Sequence, residues 1–550
     1  MRKLLLFLLI LSFFATASTC RKRTSDAVTI GLPDKFSSFD TLTSVAAPDA
    51  AAERIRVLLF NTLVRKTENF EYVGELAQDI KASETGTVLT FVLRDGVKFH
   101  NGQPLTSADV KYTFDELFKT DGKTKSFKSG AFFDTVPLVK TDANPVSTPQ
   151  PATNSNTPAK PLEEIKTKSV PHIVTIETPD PKTVIFTIAR PGLRNQLLAN
   201  LVAIPIVPVG TAGQLKDAPV GSGPFKFVTF DASQQIVELA ANPDYWEGAP
   251  KVPRLRIKTV TDATSLQAEL QSGGVDVAPN PSNLPPDMLK ALGSYSNLKI
   301  EQFDGSNIQY LIFNMQSPPL DNPKIRQAIG YAIDRQKIVT QLLSDQARVA
   351  NSILPPESWA YSPGHQYSYD PVKAKQLLQE AGYKNEPITF KFGSGNAAVS
   401  QYSQAIQSSL NEAGFNIQIE TLELATVRLQ LAQGQFQIYT GQWVGGNQDP
   451  IFLRNLFSSA MIPNAVVPCC NRGRYRNAEV DKLVEDAMNE LDKTRSKELY
   501  GKTWELVSGD LPLLPLWYPA NLVVSNKRVG NIKISASGDW TFFKDITVND

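Results

Sequence analysis

Residues able to do covalent or metal chemistry are few in this chain and poorly grouped. Its three histidines, His100, His172 and His365, stand far apart and form no metal-ligand spacing. No Gly-x-Ser-x-Gly elbow offers an activated serine. Gly122-Lys123-Thr124 and Gly501-Lys502-Thr503 both lack the leading glycine of a phosphate loop and read as surface. Cys469-Cys470 has no histidine beside it, and adjacent cysteines close only a strained ring, so a bridge between them is not expected. Acidic residues are plentiful, but no pair is singled out by its context. These patterns predict no enzyme and no cofactor; an exported hydrolase is the rival class. What remains is recognition chemistry.

The elements that must hold such a site are legible from pattern. Between Leu89 and Val110 a strand, two turns and a helix start follow one another. Leu89, Phe91 and Leu93 alternate as one buried strand face. Asp95-Gly96 and Asn101-Gly102 supply turns, and Thr106 with Asp109 forms a variant capping box. Further on, Asn322-Pro323, Asp334 and Asp370-Pro371 each read as a helix start, with apolar residues on one face behind them. Strands are expected at Leu255 to Val260 and Gln309 to Phe313. Val174, Ile176, Val184, Phe186 and Ile188 restart strand-like alternation around the turn Asp180-Pro181. The mixture indicates an α/β protein, and 550 residues are too many for one core. Residues 141–171, rich in Pro, Ser, Thr and Asn, read as a flexible surface insertion. A net charge of +1 argues against a nucleic-acid surface or a polybasic membrane patch.

The N-terminus has the layout of an export signal covering residues 1–20. Arg2 and Lys3 precede an apolar run from Leu4 to Phe14, then small residues up to Cys20. That run is well short of the roughly 20 residues needed to span a bilayer. Cys20 stands where a lipoprotein signal places its lipid-bearing cysteine. Thr19 directly before it, and no leucine three residues back, depart from the usual pattern. The protein is therefore read as exported, at the periplasmic side or outer face of the membrane, with lipidation of Cys20 as the leading reading and an incidental cysteine as the alternative.

Several motifs occur in one order along the chain: LLFNTLVR (Leu58 to Arg65), GELAQDI (Gly74 to Ile80), LRDGVKFHNGQPLTSADV (Leu93 to Val110), PVGSGPFKF (Pro219 to Phe227), NPDYWEGAP (Asn242 to Pro250), SGGVDVAP (Ser272 to Pro279), NPKIRQAIGYAIDRQKI (Asn322 to Ile338), DPVKAKQLLQEAGY (Asp370 to Tyr383), YRNAEVDKLV (Tyr475 to Val484) and LPLLPLWY (Leu511 to Tyr518). Together they resemble the family 5 extracellular solute-binding proteins, the receptors of peptide and nickel ABC importers. The resemblance implies a type II periplasmic-binding-protein fold, two lobes closing over a cleft, with an extra subdomain in lobe I. On this chain it puts lobe I at residues 26–297, the subdomain near 62–170, lobe II at 298–503 and a return to lobe I at 504–550. It implies as partners a peptide or other small solute, a membrane permease and its ATPase subunits, and no nucleic acid, for a chain acting as a monomer.

The resemblance also implies site residues in GQWVGGNQDP, Gly441 to Pro450: Trp443 as an aromatic cleft wall, with a core place as its alternative, and Gln442 and Asn447 as hydrogen-bonding groups for a neutral ligand. In dipeptide and oligopeptide receptors, an Asp three residues after the Trp of a similar Gly-x-Trp segment pairs with the ligand's α-amino group. Here that position is Gly446. A buried carboxylate–ammonium pair is a strong contact, so its loss questions a free-amine peptide and admits a blocked peptide, sugar, opine or metal chelate. Asp449 reads as a turn residue before Pro450. Tyr310 and Trp517, near the two crossings between lobes, and Phe39 complete the expected cleft set, with structural roles as their alternative.

Overall fold

The computed structural model describes residues 27–120, 125–137, 167–464 and 470–549. Its strands sort mainly into two large sheets, one in each lobe. The first has seven strands in the order Phe225–Asp231, Ile236–Ala241, Arg254–Thr259, Ala27–Leu32, Val277–Pro279, Asn521–Asn526, Leu298–Phe303. The second has six, in the order Ala347–Val349, Leu513–Pro519, Ile308–Phe313, Ile438–Trp443, Pro387–Gly393, Asn416–Leu422. Ile308–Phe313 is buried on both faces and is apolar except for Gln309, whose side chain donates to the Thr440 hydroxyl at 2.9 Å. Its alternate residues serve two cores: Leu311 and Phe313 pack on one side of the sheet, Ile308, Tyr310 and Ile312 on the other.

Two short crossings join the lobes. The chain leaves lobe I after Phe303 and enters lobe II at Ile308; it leaves lobe II after Pro519 and re-enters lobe I at Asn521. The crossings touch backbone to backbone at Gly305, where a Cβ would lie 1.9 Å from the carbonyl oxygen of Pro519. Only glycine fits there. The expected boundaries at 297/298 and 503/504 are therefore displaced. Leu298–Phe303 pairs residue for residue with Asn521–Asn526 and belongs to lobe I. The helix Lys493–Asp510 buries Tyr500, Trp504 and Val507 in the core of lobe II. A strand carries no mark of which sheet it will join, so pattern alone misplaces both crossings.

The extra subdomain of lobe I is a four-stranded antiparallel sheet of Ala77–Ala82, Val88–Leu93, Thr183–Ile188 and Ile173–Asp180. It thus continues past residue 170. Thr167–Pro171 forms a strand against Phe133–Pro137, so the end of the expected 141–171 insertion is ordered pairing. Residues 141–166 of that insertion, and the whole signal with Cys20, lie outside the described residues. Among the described residues no helix is long and apolar enough to cross a membrane.

Local punctuation follows the residue chemistry. Leu89, Phe91 and Leu93 are buried as an alternating face. Gly96 and Gly102 take positive φ, and Thr106 and Asp109 form the capping box of the helix Ser107–Phe118. Asn322, Asp334 and Asp370 cap the helices Pro323–Ala332, Arg335–Leu342 and Pro371–Glu380 through their side chains. Against expectation, Cys470 is disulfide-bonded, and its partner lies outside the described residues.

Candidate binding cleft

The site is built on the antiparallel pair Ile308–Phe313 and Ile438–Trp443, in which Tyr310 faces Gly441 and Ile308 faces Trp443. Side chains two apart on a strand share a face. Tyr439, Gly441 and Trp443 therefore line up, with Tyr310 beside them. Gly441 has no side chain because the ring of Tyr439 lies over it: a Cβ would sit 2.7 Å from the Tyr439 hydroxyl oxygen. Tyr310 stacks on Trp443 with centroids 6.3 Å apart and 21° between planes, and Phe452 meets Trp443 edge-on at 5.2 Å. Arg472 places its Cζ 5.6 Å from the Trp443 ring centre. Burial raises the hydroxyl pKa of Tyr310 and Tyr439, while Arg472 and Arg428 pull both back down, so two cations stand near these phenols.

Beyond Trp443 the chain runs along the lobe junction. Val444 is 70% exposed, and Gly446 is exposed as well. Asn447 is fully buried: its amide nitrogen donates to the carbonyls of Ser306 at 2.5 Å and Ile353 at 3.0 Å. Gln448 donates to the Ser306 hydroxyl at 2.9 Å and accepts from Lys66 of lobe I at 2.9 Å. Asp449 accepts from the hydroxyl of Tyr72 in lobe I and from the backbone of Ile451 at 2.8 Å. Burial raises the Asp449 carboxyl pKa against the pull of that hydroxyl and of Lys66. Asp449 is thus both the turn residue expected from its place before Pro450 and a link across the lobes. One segment joins the aromatic face, the Ser306 crossing and lobe I.

The expected site residues fall into two groups. Trp443, Tyr310 and Gly446 gather at the end of this strand pair, with Gly446 exposed, whereas Gln442 is exposed on the opposite face of the strand. Asn447 has both amide hydrogens engaged by backbone, leaving only its oxygen without a partner, so it braces the crossing and does not serve as a donor to ligand. Trp517 is buried against Tyr402 on the other face of the lobe II sheet, and Phe39 is buried in a cluster with Phe36, Phe227 and Phe230 of lobe I. Both take the structural alternative stated for them. Three residues outside the expected set stand near this face: Tyr439, Arg428 and Arg472. For Arg472 the sequence offered NRGRYR, Asn471 to Arg476, with three arginines and no acid; Tyr439 and Arg428 carried no such signal.

The first five of the ordered motifs, LLFNTLVR to NPDYWEGAP, converge elsewhere, on a polar joint in lobe I. Asn61 donates to Glu75 at 2.7 Å, while the Thr62 backbone and hydroxyl bond the same carboxylate at 2.7 and 2.8 Å. Ser222 and the Trp246 indole donate to Asn61 at 3.2 and 3.3 Å. His100 receives the Gly221 N–H on Nδ1 and gives its Nε2 proton to the Gly223 carbonyl at 3.0 Å. Burial pushes its pKa down to about 4, so the ring is neutral. Gly221 and Gly223 lie against the backbone of Leu59, where a Cβ on either would approach within 2.6 Å.

The profile of the bacterial extracellular solute-binding proteins, family 5 (middle region), matches residues 71–463. The chain belongs to this family. A family 5 protein binds solutes and is not an enzyme, in keeping with the scarcity of catalytic groupings. Among the described residues no group of three or more His, Cys, Asp or Glu could hold a metal ion. The probable D,D-dipeptide-binding periplasmic protein DdpA of Escherichia coli is 28% identical over 470 residues, 83% of this chain and 81% of that protein. The solved structure of HbpA2 from Haemophilus parasuis shares the fold with a TM-score of 0.77 at 23% identity, covering 95% of this chain and 100% of the other. The oligopeptide-binding protein AppA of Bacillus subtilis, solved in complex with a nonapeptide, does so with a TM-score of 0.67 at 23% identity, over 95% of this chain and 99% of that one. The two-lobed family 5 fold is therefore the frame in which the Trp443 face sits.

Proposed function

We propose that this family 5 protein is the extracytoplasmic receptor of an ABC importer, capturing peptides between its lobes and delivering them to a membrane permease driven by its ATPase partner. The observation that carries the reading is the aromatic face of Tyr310, Tyr439 and Trp443, set where the chain passes from the lobe II sheet to the crossing at Ser306 and to Lys66 and Tyr72 of lobe I. A ligand lying on Trp443 gains most when lobe I covers it, and such differential affinity is what drives closure. Among relatives, DdpA is named for dipeptides and AppA was solved with a nonapeptide, which supports peptide over other solutes. The receptor acts as a monomer, held at the outer face of the membrane by a lipid on Cys20.

The test uses the purified mature chain and a peptic casein digest, half of it acetylated at its amines. After gel filtration, protein-bound peptides are identified by mass spectrometry. Retention of a defined peptide subset, unhydrolysed, is the expected result. No retention from either half, or turnover of the peptides, contradicts the reading.

A further inference from the structure

The two arginines of the cleft are unlike the other buried or half-buried arginines of lobe II. Arg326 is fully engaged, donating to the carbonyls of Leu320 at 2.7 Å, Asp321 at 3.1 Å and Asp510 at 2.5 Å. Arg335 likewise donates to Pro515 and Tyr367, each at 2.8 Å. Arg348 pairs with Glu357 at 2.7 Å, and Arg454 with Glu485 at 3.0 Å. Arg472 has no such partner: its Nε is buried and unpartnered like those of Arg256 and Arg348, but unlike them its guanidinium makes no ion pair or side-chain hydrogen bond among the described residues. Its one placed contact is the face of Trp443. Arg428, exposed on the helix Leu424–Gln433, also has no ion-pair partner among the described residues. The neighbouring stretch 465–469 reads AVVPC and brings no acid.

A buried guanidinium N–H without an acceptor is costly unless something arrives to accept from it. On the same face, position 446 is glycine, so no carboxylate stands ready for a ligand ammonium. The local charge is cationic, and the partners are aromatic. Resting on the receptor reading above, we infer that the corner formed by Arg472, Trp443 and Arg428 selects a ligand that presents a carboxylate there, and that the cleft does not require a free α-amino group. Arg472 is the specificity-determining residue: its guanidinium donates to a ligand carboxylate while Trp443 covers the adjoining apolar part of the ligand. Arg428 adds a second, solvent-screened positive charge. Gly446 leaves the ammonium end unread.

Four matched tripeptide libraries test this by titration calorimetry on the purified mature chain: N-acetyl acids, N-acetyl amides, free-amine acids and free-amine amides. The expected preference is about tenfold or more for acids over amides, with acetylation of the amine making little difference. Arg472→Gln should collapse that ratio, Arg472→Lys should keep most of it, and the exposed Arg428→Gln should lower it by a smaller factor. A brace between Arg472 and Trp443 alone would change the melting temperature and leave the ratio intact. Gly446→Asp is the reciprocal variant. Its Cβ would stand 3.1 Å from the Phe452 ring, a contact that a small ring shift relieves, and it should raise affinity for free-amine amides. Equal binding of acids and amides by the wild type, or an unchanged ratio in Arg472→Gln, overturns the carboxylate inference and leaves the peptide receptor standing. Binding of the sugar acid galacturonate with the same Arg472 dependence, and of none of the peptides, overturns the peptide reading and upholds the inference. If neither peptides nor galacturonate bind, both fall.

Discussion

The polar joint of lobe I and the aromatic face of lobe II are both rich in functional groups, yet they treat those groups in opposite ways. In the joint, Asn61, Glu75, Ser222, Trp246 and His100 hold one another or backbone, and two glycines lock the turn against Leu59. In lobe II, Trp443 is half-buried, Gly446 is exposed and Arg472 lacks an acceptor among the described residues. A buried polar group left unmet costs stability, and among the arginines with a buried unpartnered Nε (Arg256, Arg348 and Arg472) Arg472 alone has no ion pair among the described residues. The joint is complete without a ligand. The aromatic face is not. The first five of the ordered motifs meet in the first; the second is the face proposed to hold the ligand.

The sharpest way to break this contrast is to disturb the joint and look for an effect on stability alone. Gly223→Ala would set a Cβ 2.5 Å from the Leu59 carbonyl carbon. The expected loss is at least about 3 kcal/mol, seen as a melting point lower by several degrees. An unchanged melting point would remove the close-packing argument. A second, somewhat smaller effect depends on pH. His100 is held neutral with a pKa of about 4, against 6.5 for an ordinary histidine. Its contribution to stability is complete above pH 6.5 and is lost as pH falls toward 4. Denaturant unfolding should lose up to about 3 kcal/mol over that window through this group. His100→Gln, which retains a donor for Gly223, should flatten that part of the slope; an unchanged slope would place the titrating group elsewhere.

The interlobe contacts form an intermediate class, satisfied in this arrangement but made by groups from opposite lobes. Tyr72→Phe removes the donor to Asp449 and should lower unfolding stability by about 1–2 kcal/mol, read from the urea midpoint. A midpoint equal to that of the wild type would show that the bond adds nothing in solution.

The same contrast explains how much of the molecule was legible in its sequence. Capped helices and alternating strands follow from residue chemistry within a few positions. Thr106, Asn322 and Asp370 could therefore be assigned before any fold was known. The crossings could not, because membership of Leu298–Phe303 in one sheet or another is decided by pairing with Asn521–Asn526, more than 200 residues away. At the site, Trp443 and Gly446 were visible because their segment has a recognisable pattern. Asn447 misled, since an amide side chain gives no sign whether backbone or ligand will take its hydrogens. Phe39 and Trp517 misled for a similar reason: an aromatic ring suits a core as well as a cleft. Arg472 went unread because what distinguishes it is the absence of a partner in space.

The central claim is that the lobe II aromatic face holds the ligand. It is tested most directly by Trp443→Ala, titrated with a peptide that the wild type retains from the casein digest, after circular dichroism has shown the variant folded. Loss of the stacking surface should weaken binding by about tenfold or more. Affinity equal to that of the wild type would contradict the assignment of the cleft.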